Sequence, residues 1–104
     1  MALIILYVTC KDTAQAKAIA ARLLKKKLIA CANLFPITSM YEWKGKMMDD
    51  SDVVLLGKTT KRKADAAEKE IKKIHSYECP CIIQIPCKAN KEYEQWVRMM
   101  VKDG

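Results

Sequence analysis

The residues best suited to chemistry in this sequence are one histidine and two cysteines that lie close together near residue 80. His75, Cys79 and Cys81 form an H-x₃-C-x-C cluster, which offers one imidazole and two thiolates as ligands for Cu(I) or Zn. The two cysteines share a face if a strand begins at Cys79. The spacing matches no standard zinc motif, so an alternative stays open in which His75 caps a helix and the cysteines pack as small hydrophobes. The first candidate site is therefore a metal site for copper or another divalent ion.

A second candidate site combines aromatic, basic and acidic side chains from distant parts of the chain. Its residues are Lys58, Tyr77, Tyr41, Glu42 and Trp43. We expect a hairpin tip carrying the last three to reach Lys58 or Tyr77 of a neighbouring chain. The cleft between the two subunits would then bind a small anion or metabolite. The simpler alternatives are interface packing for Tyr41 and Trp43, and a solvated strand end for Lys58.

A long β-hairpin from Ala30 to Thr60, hinged at Trp43-Lys44-Gly45-Lys46, has to position most side chains of the second site. Arms of about 14 residues would be about 45 Å long. A globule of 104 residues has a radius of gyration of only about 13 Å. The tip should therefore extend beyond its own domain, which indicates an assembly. We expect a bulge or bend at Pro36, which lacks a backbone N–H, and solvent around the acidic run 49–52.

The other segments predict two further strands and three helices. The predicted elements are, in order, a strand from Ala2 to Thr9, a helix that Asp12 caps and Lys25 to Lys27 end, the two hairpin arms, a helix from Thr59 or Thr60 to His75-Ser76-Tyr77, a strand from Cys81 to Ile85, and a helix that Asn90 caps. This order, β-α-β-β-α-β plus a C-terminal helix, is that of a ferredoxin-like α+β fold, in a single domain over residues 1–104.

The apolar strands indicate what covers the sheet. The predicted topology puts the two main helices on one face of an antiparallel sheet, so its strands should alternate if the other face met water. Instead, Ala2 to Val8, Val53 to Leu56 and Cys81 to Ile85 are apolar at both alternate sets of positions. We therefore expect the helix-free face to be buried between subunits in a closed ring of identical chains.

Composition narrows the class of protein further. A formal net charge of +7 suggests an acidic partner, but two of the basic clusters lie at helix C-termini, where the helix dipole alone explains them. One histidine, no Gly-rich phosphate loop and no recognisable Ser/His/Asp set indicate a binding protein rather than an enzyme. Nucleic acid is disfavoured because Val53 to Thr60 carries no aromatic residue on which bases would stack. The short opening apolar run and the odd number of cysteines predict a cytoplasmic protein without a membrane partner.

Four segments resemble the signature segments of the CutA divalent-cation tolerance proteins. They are Leu28-Ile29-Ala30-Cys31-Ala32-Asn33-Leu34, Ser39-Met40-Tyr41-Glu42-Trp43-Lys44-Gly45-Lys46, Lys58-Thr59-Thr60, and His75-Ser76-Tyr77 with Pro80. The resemblance covers nearly the whole chain. It implies a ferredoxin-like homotrimer whose sheets pack together at the centre, as in the PII signalling proteins. It also implies a link to tolerance of copper and other divalent metals, with no established enzymatic reaction.

The chain departs from this family pattern in two places. His75-Ser76-Tyr77 replaces the usual His-Pro-Tyr, and Val8 lies about where some bacterial members carry a cysteine thought to bind copper. Only His75 of that metal site carries over to this chain. The sequence thus predicts a homotrimeric binding, scaffold or signalling protein associated with metal tolerance. A PII-like binder of small anions or metabolites at clefts between subunits is the alternative, and an RNA-binding module is a more distant one.

Overall fold

The computed structural model describes residues 3–103 as four strands and three helices. The elements are β1 (Leu3–Cys10), α1 (Thr13–Lys25), β2 (Cys31–Trp43), β3 (Lys46–Thr60), α2 (Lys61–Ile74), β4 (Ile82–Cys87) and α3 (Lys91–Met100). The strands form one antiparallel sheet in the order β2-β3-β1-β4. This arrangement confirms the predicted α+β class and element order. The predicted first residue of β1, Ala2, lies outside the described residues.

Helices α1 and α2 cover one face of the sheet and enclose the main core. Ile4, Leu6 and Val8 alternate along β1 and point toward the helices, where they are buried. Each helix adds one apolar stripe to this core; the buried members are Ala16, Ile19, Ala20 and Leu23 from α1 and Ala64, Ala67 and Ile71 from α2. The apolar stripe that predicted each helix is therefore the face that packs into the core.

The helix caps follow the sequence prediction only in part. Asp12 caps α1 as predicted, because its Oδ1 accepts a hydrogen bond from the Gln15 N–H at 2.8 Å. Thr60 and Asn90 occupy the N-cap positions of α2 and α3, but neither side chain makes a capping bond. The Thr60 hydroxyl is buried and has no hydrogen-bond partner among residues 3–103. The predicted N-cap positions of α2 and α3 are therefore confirmed, but the side-chain bonds expected of those caps are not formed.

A buried carboxylate joins the two main helices. Glu70 of α2 is only 4% exposed. Its carboxylate lies 2.9 Å from Arg22 Nε of α1, 3.1 Å from Nζ of Lys26, the C-cap residue of α1, and 3.6 Å from Lys73 Nζ of α2. Three cations around one acid hold the pKa of Glu70 below its usual value, chiefly through the bond to Lys26. This cluster fixes α1 against α2 at the end of α1 that is rich in basic residues.

The opposite face of the sheet, called the open face below, is the side that carries Ile5, Tyr7, Ile83 and Ile85. Helix α3 packs on one end of it, where Leu3, Ala30, Val97 and Val101 form a second buried cluster. The expectation that other subunits bury this whole face is therefore wrong for that end, which the chain covers itself. Beyond α3 the face is still apolar and partly exposed: 39% for Phe35, 48% for Ile83 and 41% for Ile85.

The hairpin is long and regular. Its register runs without interruption from Cys31 opposite Lys58 to Trp43 opposite Lys46. Lys44 and Gly45 close it with φ angles of 51° and 79°, the left-handed pair that a two-residue type I′ turn requires. The molecule measures 47 × 24 × 20 Å with a radius of gyration of 14.3 Å, so the predicted extension of the hairpin is confirmed.

The predicted bulge at Pro36 is wrong. Pro36 lies opposite Val53 in an unbroken register. Strand β2 is at the edge of the sheet and pairs only with β3. An edge strand tolerates a residue without an N–H, because one side of the strand has no ladder to complete.

Candidate functional site

A groove of about 660 Å³ lies on the open face, beside the part of the hairpin that extends past Cys10. One wall comes from the two hairpin arms, and the other comes from the end of β1 and the irregular segment between α2 and β4. The lining residues are Ser39, Tyr41, Trp43, Met48, Asp50 and Asp52 on the hairpin, and Thr9, Ser76, Tyr77, Glu78, Cys79 and Cys81 opposite.

Strand alternation puts the hairpin residues of the groove on one side. Leu34 and Leu55 contact the main core, so residues at odd positions of β2 and even positions of β3 face the other way. The pairing of Tyr41 with Met48, and of Ser39 with Asp50, then brings aromatic and acidic side chains together across the two arms. Local sequence and register are sufficient to build this wall.

Two tyrosines hold two of the carboxylates. The Tyr41 hydroxyl donates to Asp50 Oδ2 at 2.6 Å, and the Tyr77 hydroxyl donates to Asp52 Oδ1 at 3.1 Å. The bond to Asp50 raises the pKa of Tyr41. Burial, and then the bond to Asp52, raise the pKa of Tyr77 to about 12. Both phenols are therefore neutral hydrogen-bond donors at physiological pH, and each fixes one oxygen of a carboxylate.

His75 holds Tyr77 and the adjoining segment in place. Its Nδ1 accepts the Tyr77 N–H at 3.1 Å, so the ring proton is on Nε2, which donates to the Thr9 carbonyl at 2.8 Å. The imidazole also packs against the Tyr77 ring, with centroids 4.8 Å apart. Both ring nitrogens thus have partners that connect the end of α2 to the end of β1.

The predicted metal ligands are near one another in the chain but differ in their surroundings. Cys79 is exposed and Cys81 half-buried, and both line the groove. Because β4 begins at Ile82, the argument that a strand from Cys79 aligns the two thiols is wrong. Between Leu3 and Asp103, no three His, Cys, Asp or Glu side chains are grouped so as to hold a metal. A metal site at His75, Cys79 and Cys81 stays a prediction; the two thiols suit a soft ion, whereas the imidazole would first have to release its hydrogen bonds.

The second predicted site is divided by the structure. Tyr41, Trp43 and Tyr77 line one groove within a single chain. Glu42 pairs with Met47 and lies on the other side of β2 from its two neighbours. Three of the five predicted residues thus line one groove within a single chain, and a cleft shared with a neighbouring subunit stays a prediction.

Lys58 lies far from those aromatic residues in the same chain. It pairs with Cys31 at the base of the hairpin, ten residues along β3 from Met48, or about 33 Å away. Its Nζ is 5.5 Å from the ring centroid of Tyr93 in α3, where it makes a cation–π contact. Lys58 is therefore not part of this groove within one chain, and its predicted approach to the hairpin tip of a neighbouring chain stays a prediction.

The charged residues of the groove are acidic, which the sequence analysis missed. Asp50, Asp52 and Glu78 line it, and the lining within residues 3–103 has no Lys, Arg or His. The acidic run 49–52 looked like a solvated patch, yet alternation at every second residue was a signal that Asp50 and Asp52 share a face with Tyr41. A groove of this charge does not favour the small anion expected for the second site.

These features define a small ferredoxin-like α+β domain with a long hairpin and a groove suited to binding. Residues 4–100 match the family model described as CutA1 divalent ion tolerance protein, so the chain belongs to that family. Among the described residues, none of the helices has the length and apolar character needed to cross a membrane.

Relatives and solved structures agree with that assignment. The chain is 40% identical over 93 residues to the divalent-cation tolerance protein CutA of Archaeoglobus fulgidus, covering 88% of this chain and 91% of that protein. It is 41% identical over 99 residues to a CutA homolog of Xenopus laevis, covering 93% of this chain but only 66% of that one. The solved structure of periplasmic divalent cation tolerance protein CutA from Archaeoglobus fulgidus superposes with a TM-score of 0.92 at 38% identity, covering 95% of this chain and 98% of that chain.

Proposed function

We propose that this chain forms a cytoplasmic homotrimer that contributes to tolerance of divalent metal ions, copper among them. It would act as a binding, scaffold or signalling protein rather than as an enzyme. The observation that carries the proposal is the exposed apolar part of the open face. The names of the CutA relatives supply the connection with metal tolerance.

The open face supports self-assembly because its apolar side chains form one continuous area. Ile83 lies opposite Tyr7 and Ile85 opposite Ile5, so the four side chains adjoin across β1 and β4. Phe35 extends the apolar area toward β2. Large exposed apolar patches on small domains are typical of interaction surfaces. The two sheet edges are different strands, β2 and β4, so a head-to-tail contact between copies would be heterologous, the type of contact that forms a ring when its rotation closes.

The thiols of the groove are the best candidates to take a metal ion as cargo. Cys79 and Cys81 lie at its wall, and soft thiolates prefer Cu(I) among the ions of copper and zinc chemistry. Cys10 is a poor ligand and a poor nucleophile, because burial raises the pKa of its thiol to about 11. That property argues against Cys10 itself as a covalent catalyst.

Native mass spectrometry before and after addition of copper or zinc tests assembly and metal uptake together. We expect a three-chain species that gains metal, and we expect the Cys79→Ser, Cys81→Ser double variant to stay trimeric while losing that gain. Cys31→Ser is the control, because Cys31 is half-buried at the base of the hairpin, away from the groove. A monomer would contradict the assembly proposal. Unchanged metal binding in the double variant would contradict the assignment of the ligands.

A further inference from the structure

The formal net charge of the chain comes entirely from helices α1 and α2. With their adjoining residues, in the ranges 12–27 and 60–75, these helices hold eleven of the nineteen basic residues and four of the twelve acidic ones, which is a net charge of +7. The eight basic and eight acidic residues elsewhere cancel. Both helices cover the face of the sheet opposite the open face, so a ring closed through the open faces leaves them outward. The positive charge is therefore concentrated on an accessible surface.

Six lysines of these two segments have no acidic partner among residues 3–103. The other five cations each lie within 3.7 Å of an acidic side chain, and three of those five surround Glu70. Five of the six lysines are exposed and Lys63 is half-buried. The six, called the basic face below, are Lys17, Lys25, Lys27, Lys61, Lys63 and Lys69.

The first turn of α2 carries two of these lysines at positions that oppose helix stability. Lys61 and Lys63 lie at the positive end of the helix dipole, whereas the lysines that end α1 lie at a negative end. This first turn has no acidic residue, and the N-cap residue Thr60 makes no side-chain capping bond. Departures from the local rules of stability are typical of functional surfaces. An external anion would satisfy the charges and the free N–H groups of this turn.

The lysines of the two helices face one common area. Because β1 and β3 are antiparallel and each leads into its helix, α1 and α2 run in opposite directions. Lys26, after the end of α1, lies 3.1 Å from Glu70 of α2, and Gln15 near the start of α1 donates to Ser76 Oγ beyond α2 at 2.6 Å. The lysines that end α1 therefore lie beside the first half of α2.

The composition of the two helices favours an acidic polypeptide over nucleic acid or lipid. Every member of the basic face is a lysine, whereas arginine is the usual residue for recognition of phosphate and nucleic acid. Neither helix contains an aromatic residue on which a base could stack. Leu24 is the one large apolar side chain that α1 and α2 expose, which is too little for insertion into a membrane. The other exposed apolar residues are small enough for a peptide to approach closely: Ala14, Ala18, Ala21 and Ala66.

We propose that the basic face binds an acidic segment of a partner protein. Asp and Glu carboxylates of that segment pair with the lysines along α1 and α2. Lysine side chains are long and flexible, so the segment needs only closely spaced carboxylates and no fixed structure of its own. The proposal goes beyond metal tolerance, and it uses no residue of the groove, the open face or the hairpin.

Fluorescence anisotropy with the wild-type protein tests this directly. The probes are fluorescein-labelled decaglutamate and, as the uncharged control, decaglutamine. We expect saturable binding of decaglutamate that weakens about tenfold when NaCl is raised from about 50 mM to about 200 mM, and no binding of decaglutamine. Equal binding of the two peptides, or no binding of decaglutamate, would overturn the proposal. Tighter binding of a short DNA duplex or of phosphatidylserine vesicles would overturn the choice of partner.

Two double substitutions with the same change of charge locate the site. Lys61→Gln with Lys63→Gln removes two cations from the basic face, and Lys44→Gln with Lys46→Gln removes two from the hairpin tip. We expect decaglutamate binding about tenfold weaker for the first pair and unchanged for the second. Equal weakening would show general attraction to a basic protein and would refute the site.

Thermal melting distinguishes a binding role of Lys61 and Lys63 from a structural one. Because both cations oppose the dipole of α2, their replacement by glutamine should leave the melting temperature equal or raise it. A lower melting temperature would show that these lysines stabilise the fold, and it would overturn the argument that they serve a partner. A monomer in solution would refute the proposed assembly without altering either titration.

Discussion

Replacing Ile83 and Ile85 with serine should weaken the assembly while leaving the chain folded. Both side chains are on the open face of β4, and they remain 48% and 41% exposed in the single chain. Full burial of an isoleucine is worth about 1.5–3 kcal/mol. Together, the exposed fractions of Ile83 and Ile85 equal about nine-tenths of one isoleucine side chain that assembly would bury. The double variant should therefore lose about 1.3–2.7 kcal/mol of association free energy per chain, or about 4–8 kcal/mol per trimer.

A dilution series in sedimentation velocity measures this loss. The concentration at which a trimer half-dissociates varies with the square root of its dissociation constant, so it should rise roughly 30- to 800-fold. Leu24→Ser is the matched control, because Leu24 is 39% exposed on α1, on the other side of the sheet. Far-UV circular dichroism should show the same fold in all three proteins. A dissociation midpoint that is the same for the double variant and for Leu24→Ser would refute the role of the open face.

Three further substitutions or modifications have defined outcomes. Glu70→Gln should lower the melting temperature at neutral pH and lower it less in acid. Contact with Lys26 depresses the pKa of Glu70 in the folded protein. The stabilisation by the Glu70 carboxylate is therefore present above its unfolded-state pKa of about 4.3 and disappears as the pH falls through its folded-state pKa. A difference independent of pH would contradict this. Gly45→Ala should cost about 1 kcal/mol in urea unfolding, because φ is +79° although the new Cβ meets no atom within 4 Å; unchanged stability would contradict the turn assignment. Peptide mapping after limited alkylation at mildly alkaline pH should find exposed Cys79 modified before buried Cys10, whose pKa is about 11, and the reverse order would be incompatible with the structure.

Local patterns in the sequence were sufficient to predict most elements of the fold. The segment Trp43-Lys44-Gly45-Lys46 predicted the hairpin turn, and the structure closes the hairpin there with left-handed Lys44 and Gly45. The prediction of a bulge at Pro36 was wrong because the effect of a proline depends on whether its strand pairs with one neighbouring strand or with two. That information belongs to the sheet order rather than to the segment around the proline.

The candidate site was harder to predict because its residues come together through register and packing. Counting pairs outward from Gly45 would have placed Lys58 opposite Cys31, far from Tyr41, and would have put Asp50 on the same side as that tyrosine. Those signals were present in the sequence. In contrast, the contact of Glu70 with Arg22 spans 48 residues and depends on how α1 lies against α2, for which no local pattern exists.

The central claim is that the exposed open face and the long hairpin belong to a three-chain assembly. Light scattering coupled to size-exclusion chromatography of the wild-type protein measures the mass in solution without any substitution. We expect a particle of three times the chain mass of 11.8 kDa. A particle of 11.8 kDa at micromolar concentration would contradict it.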